Sequence, residues 1–144
     1  PEQRNFLGQH PQEMIDIQNK ESQIVWQSVN NFVKSNLEDG LDVVIEGIAI
    51  LPELWKQVDY DYSVVFIGNQ SDNHFQTILN SARNNSNDWM HDLEDETIKA
   101  FSTFNQAFSS YMQQQAEKFN YSYIEIHDDN FKNDINTALN SLLS

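Results

Sequence analysis

Residues 41–55, LDVVIEGIAILPELW, set a Val/Ile-rich run around one carboxylate and one glycine, Glu46-Gly47, and follow it with Pro52. A run this apolar suits a strand buried on both faces, because helices cover both sides of a parallel sheet. A carboxylate in such a strand is costly unless it is paired, hydrogen-bonded or bound to a metal. Glu46 is therefore the first candidate functional residue. Pro52 opens a short helix, since proline in a first helical turn gives up no intrahelical bond.

Two more short β-branched and aromatic runs follow, residues 62–68 (YSVVFIG) and 121–127 (YSYIEIH). The stretches around them carry helical periodicity. Residues 13–37 place Val25, Val29, Phe32 and Val33 on one face with Trp26 beside them, and Gly40 is available for a left-handed C-terminal position. Ser71 or Asp72 can cap a helix bearing Phe75, Ile78, Leu79 and Ala82, and residues 84–92 (NNSNDWMHD) read as an exposed loop. Glu94, Asp95 and Glu96 suit the first turn of a helix whose apolar face holds Ile98, Phe101, Phe104, Phe108, Tyr111 and Met112. A last helix from Asp129 or Asn130 should bury Phe131, Ile135, Ala138, Leu139 and Leu142. Strands separated by helices need crossovers. The expectation is a three-layer α/β domain over residues 13–144 with a short, mainly parallel sheet, after a polar stretch at residues 1–12.

The length of 144 residues fits one domain with a real core. A net charge of −14 with few, scattered cations gives no footprint for duplex nucleic acid, which needs clustered Lys and Arg, or for an anionic membrane. Without cysteine there is neither a disulfide framework nor a thiolate zinc site. No apolar run nears the roughly 20 residues of a membrane helix, and PEQRNFLGQH lacks the basic-then-apolar pattern of a signal peptide. A cytoplasmic location is the expectation that suits these features.

The stretch DVVIEGIAILPELW resembles the third strand of P-loop small-molecule kinases of the 2-phosphoglycerate-kinase-like and zeta-toxin-like kind: an apolar strand, an acid, a small residue, then a proline. The resemblance extends in element order over about two-thirds of the chain, with residues 72–94 as the helix and lid. It implies ATP-dependent phosphoryl transfer to a small hydroxylated metabolite. Glu46 would hold Mg²⁺ through water or orient the acceptor hydroxyl, as a hard cation and a carboxylate allow. Arg83 would be the lid cation that clamps phosphate, with bidentate geometry suited to it. Gly47, with Asp128, Asp129 and Phe131 in the loop near the adenine, would contribute to nucleotide binding.

Each assignment has a plainer counterpart. Glu46 can be a strand-end carboxylate satisfied locally, and Arg83 a helix-end cation satisfying carbonyls. Asn69, Asp72 and His74 lie just past a strand's C-terminal end, where open α/β sheets put ligands, yet His74 also reads as a surface histidine. His91-Asp92 and His127-Asp128-Asp129 lack the spacing of a zinc site. The phosphate loop itself, GxxxxGK[ST], is not in the sequence, whose Gly8, Gly40, Gly47 and Gly68 are far apart. Two expectations follow. The chain is the C-terminal portion of a longer kinase that lacks an N-terminal segment, with an exposed apolar gap where the first strand belongs, filled by a homodimer partner or left as an aggregation-prone edge. Or it is a non-catalytic acidic α/β domain that meets a basic protein partner.

Overall fold

The computed structural model describes residues 10–143. Four α-helices, one 3₁₀ helix and two short strands build the described residues: α1 (Pro11–Glu38), a 3₁₀ helix (Pro52–Gln57), β1 (Val65–Gly68), α2 (His74–Asn84), α3 (Asp95–Lys118), β2 (Ser122–Glu125) and α4 (Phe131–Leu142). β1 and β2 form a two-stranded parallel sheet in the register Val65↔Ser122 to Gly68↔Glu125. Helices flank it, with α3 and α4 each touching both strands. The fold is mixed helix and strand, as the alternation of segments requires. Among the described residues no helix is long and apolar enough to cross a membrane.

The core joins α1, the 3₁₀ helix, β1 and α3 through Trp26, Leu51, Leu54, Trp55, Phe66, Phe104, Phe108 and Met112. Trp26 meets Trp55 edge-on with ring centroids 5.2 Å apart, a favoured aromatic geometry. This corrects the expected inner face of α1. Ile15, Ser22, Trp26 and Val33 are buried, whereas Val25 and Phe32 are 45% and 58% exposed. The indole, the largest apolar group on the helix, takes the inward position, and Ser22 is buried along with it. On α4, likewise, Ala138 is buried while Phe131 and Leu139 stay exposed.

Helix ends follow their local chemistry. Gly40 sits at φ 76° after α1, where its N–H donates to the Leu37 carbonyl and Leu41 N–H to the Asn36 carbonyl, each at 3.0 Å. The same motif closes α3 with Asn120 at φ 60°, a residue whose short polar side chain tolerates the left-handed region.

The expected strand at residues 42–50 does not form. Residues 41–47 are irregular and residues 48–49 turn, closed by Ile50 N–H donating to the Gly47 carbonyl at 3.1 Å. The stretch still alternates: Asp42, Val44 and Glu46 are exposed, Val43 and Ile45 half-buried. It has the side-chain period of a strand but, among the described residues, no neighbouring strand to complete the ladder.

Candidate functional site

Polar side chains gather where β1 and β2 end. Both strands run the same way, so the loops that leave them, residues 69–73 and 126–130, emerge side by side. Ile126 N–H donates to the Gly68 carbonyl at 2.7 Å and carries the pairing one step past the strands. In an open α/β sheet, this is the end at which ligands bind.

Glu125 anchors one half of the cluster. Its carboxylate accepts from the Gln70 N–H at 2.5 Å, the Tyr123 hydroxyl at 2.8 Å and the Gln70 side-chain amide at 3.1 Å. The Gln70 amide also donates to Gln113 Oε1 on α3 at 2.8 Å. Burial, reinforced by the hydrogen bond to the Glu125 carboxylate, pushes the Tyr123 phenol well above its ordinary range. Tyr123 is therefore a fixed donor at neutral pH.

Asp128 anchors the other half. Asn69 Nδ2 donates to Asp128 Oδ1 at 2.8 Å, tying the two loops together. Asn69 Oδ1 accepts from the Ser71 N–H at 2.9 Å and from the Ser71 hydroxyl, an Asx-type turn. Two residues of α3 brace the turn, with Ser109 Oγ accepting from Asn69 N–H at 3.0 Å and Gln106 donating to the Ser71 carbonyl at 2.7 Å. His74, at the start of α2, brings a buried Nδ1 to 3.8 Å from Asp128 Oδ1, too long for a hydrogen bond, and that nitrogen has no other partner.

Gly68 makes this approach of sheet and helix feasible. A Cβ there would meet the Tyr123 hydroxyl and would lie 2.7 Å from Ser109 Cβ. Only a residue without a side chain lets α3 sit this close to the strand end.

The residues singled out in the sequence divide between this cluster and other places. Asp128 belongs to it, together with Asn69 and His74. Asp129 and Phe131 are exposed beside it, Phe131 at the first position of α4. Asp72 is exposed in the same loop. Glu46 and Gly47 are exposed in the irregular segment, Glu46 on the rim of an open apolar groove of about 460 Å³ floored by Val29, Phe32, Val44, Ile45 and Ile50. Arg83 is engaged elsewhere: it donates to the carbonyls of Met90 (3.3 Å), His91 and Leu93 (2.6 Å) and to the Asp95 carboxylate (2.6 Å). It thus straps the α2–α3 loop to the start of α3. His91 adds a 2.8 Å contact from Nδ1 to the Ala82 carbonyl, and His127 faces Asp134 at 3.0 Å.

Glu125 and Tyr123 leave a signal in the sequence as a pair. The sequence YSYIEIH puts Tyr123 and Glu125 on one face of a strand, and Glu125 is the carboxylate in an apolar strand that needs a partner. That argument, applied to Glu46, describes Glu125.

The donor set bears on ligands. Among the described residues no lysine or arginine enters the strand-end cluster, and its carboxylates are already hydrogen-bonded, so it suits neutral polar groups such as hydroxyls better than phosphates. Among the described residues no group of three or more His, Cys, Asp and Glu side chains is arranged to hold a metal ion. The residues present do not by themselves make an ATP or Mg²⁺ site. Compared with protein-family models, curated proteins and solved structures, the chain matches none.

Proposed function

We propose that this chain is the acceptor-side part of an ATP-dependent small-molecule kinase, with the phosphate-binding loop supplied by a further segment. The observation that carries the reading is the unpaired strand-like stretch at residues 42–46. Among the described residues it alternates inward and outward, keeps Val44 at 93% exposure and has no backbone partner, while β1 leaves one edge unpaired. A sheet with one strand more would satisfy both features, and a strand leading into GxxxxGK[ST] is the element the resemblance requires. The strand-end cluster then lies on the side of the sheet where an acceptor is held. Its amides, hydroxyls and carboxylates fit a hydroxylated metabolite.

The test is the product of the intact gene. A GxxxxGK[ST] loop upstream, with Mg²⁺-dependent phosphorylation of a hydroxylated acceptor, is the expected result. Glu46→Gln in that protein should cut turnover by orders of magnitude while leaving the fold intact. A gene product without such a loop, or one that neither binds nor turns over ATP, overturns the reading.

A second reading has its own observation. Beyond the net charge of −14, several cations are engaged locally: Lys34 pairs with Asp59 at 2.8 Å, Arg83 with Asp95, and Lys56 and Lys118 both lie over the Phe119 ring. The surface presented to a partner is strongly acidic. We propose, as the alternative to catalysis, an interaction domain for a basic protein, tested by whether its complex weakens as salt rises.

A further inference from the structure

The three tryptophans differ sharply. Trp26 and Trp55 are 5% and 6% exposed, and Trp89 is 66% exposed. Trp89 touches Phe101 edge-on, centroids 5.4 Å apart, and turns the rest of its ring to solvent. The loop that carries it is braced. Asp88 N–H donates to the Asn85 carbonyl and His91 N–H to the Asp88 carbonyl, both at 2.9 Å, and Asp88 Oδ1 accepts from Met90 N–H at 2.8 Å. The Arg83 strap and the His91–Ala82 contact close it from outside. A slack loop would let an indole fold back onto apolar surface. This one holds it out.

The surroundings select a ligand. From position 88 to 96 the sequence reads DWMHDLEDE, with Asp88, Asp92, Glu94, Asp95 and Glu96 and no lysine or arginine. Arg83, the one guanidinium among the described residues, is paired with Asp95. An open indole face attracts cations through its quadrupole, and flanking carboxylates add to the attraction. A planar guanidinium stacks on the ring and hydrogen-bonds a carboxylate together, which an ammonium does less well.

We infer that Trp89 is the docking point for an arginine-bearing segment of a basic protein partner, with Arg83 as the positioning residue that holds the ring out. The inference rests on the interaction reading and is independent of phosphoryl transfer. It assigns a task to a loop that the resemblance treats only as a lid.

The probe is the unstructured peptide Ac-GRRGRRG-NH₂, titrated against the chain by indole fluorescence and by the Trp89 Nε1–H NMR resonance. Its citrulline counterpart is the same shape without charge. Expected results are a Trp89-localised shift, a loss of about two- to fivefold in affinity for Trp89→Ala and for the citrulline peptide, and weakening as salt rises. Trp89→Ala should keep its helical circular dichroism, since the ring is exposed. Arg83→Lys should raise hydrogen exchange across residues 85–93 and weaken binding; unchanged exchange and affinity overturn its positioning role. Binding that survives Trp89→Ala overturns the site and leaves a basic partner in place. Equal binding of the citrulline peptide overturns the cation chemistry, and no binding of the arginine peptide overturns both the site and the interaction reading.

Discussion

The strand-end cluster and the segment at residues 41–50 have opposite characters. At the strand ends, polar groups are drawn in, and the principal carboxylate, Glu125, accepts three hydrogen bonds. Along residues 41–50, apolar groups are turned out, with Leu41, Val44 and Ile48 at 53%, 93% and 52% exposure. Buried polar groups are costly unless satisfied, and exposed apolar groups gain when covered. The first region is satisfied largely from within, His74 Nδ1 apart, and the second leaves apolar side chains uncovered by the described residues. The same kind of residue, a glutamate among β-branched neighbours, serves as an anchor in one and lies free at the surface in the other.

The comparison can be broken most forcefully at Gly68. Gly68→Ala drives a methyl group into the Tyr123 hydroxyl and Ser109, and overpacking of this kind should cost about 3 kcal/mol, read as a lower urea midpoint. If stability holds, the close approach of α3 to the sheet is not what fixes the cluster. Next comes Glu125→Ala, which strands the Tyr123 hydroxyl and the Gln70 N–H. Loss of hydrogen bonds to a charged acceptor should destabilise by about 2 kcal/mol. Val44→Thr, in the other region, should stay within about 0.5 kcal/mol because the side chain contacts little. Equal effects from these two substitutions would erase the distinction between the regions.

A smaller, pH-dependent effect is expected beside the cluster. The Asp134 carboxylate raises the His127 imidazole above its usual range through their hydrogen bond. Asp134 is held below the usual carboxylate range, first by the His127 backbone N–H and then by the ring. The histidine's contribution is full below its unfolded value of about 6.5 and is lost as pH rises through the raised folded value. The aspartate's contribution is present above about 3.9 and is lost as pH falls through its depressed folded value. Thermal unfolding should thus show the pair's stabilisation between these limits and its decline toward alkaline pH. His127→Ala should flatten the alkaline side of that profile, and an unaltered profile would remove the pair as its cause.

The sequence made some of this legible. Period placed the helices, and Gly40 and the acidic first turn of α3 act through their own neighbours, whereas neither Ser71 nor Asp72 caps α2, whose N-cap Asn73 makes no side-chain cap hydrogen bond. The residues 62–68 and 121–127 were recognisable as strands, although each pairs over only four positions. Residues 42–50 misled because a continuous apolar run states a preference for being covered and does not supply the neighbour. The face of α1 misled for a related reason: the valines matched a helical stripe, but Trp26 had more surface to bury. In the cluster, Asn69, His74 and Asp128 could be suspected from their place after strands. Gln70, Tyr123 and Glu125 could not be joined to them without the register, since Gln70 N–H reaches Glu125 across 55 residues.

That separation has a consequence in time. Val65 pairs with Ser122, so the sheet must close a chain loop of nearly sixty residues, whereas α1 and α3 draw on contacts within a few residues of each other. Helical turns form in well under a microsecond to a few microseconds, and distant pairings wait for the loop entropy to be overcome. On a ribosome, β1 is made and left unpaired until β2 emerges. The Asn69–Asp128 tie cannot form before both strand ends exist, which places the candidate site among the last parts of the molecule to be assembled.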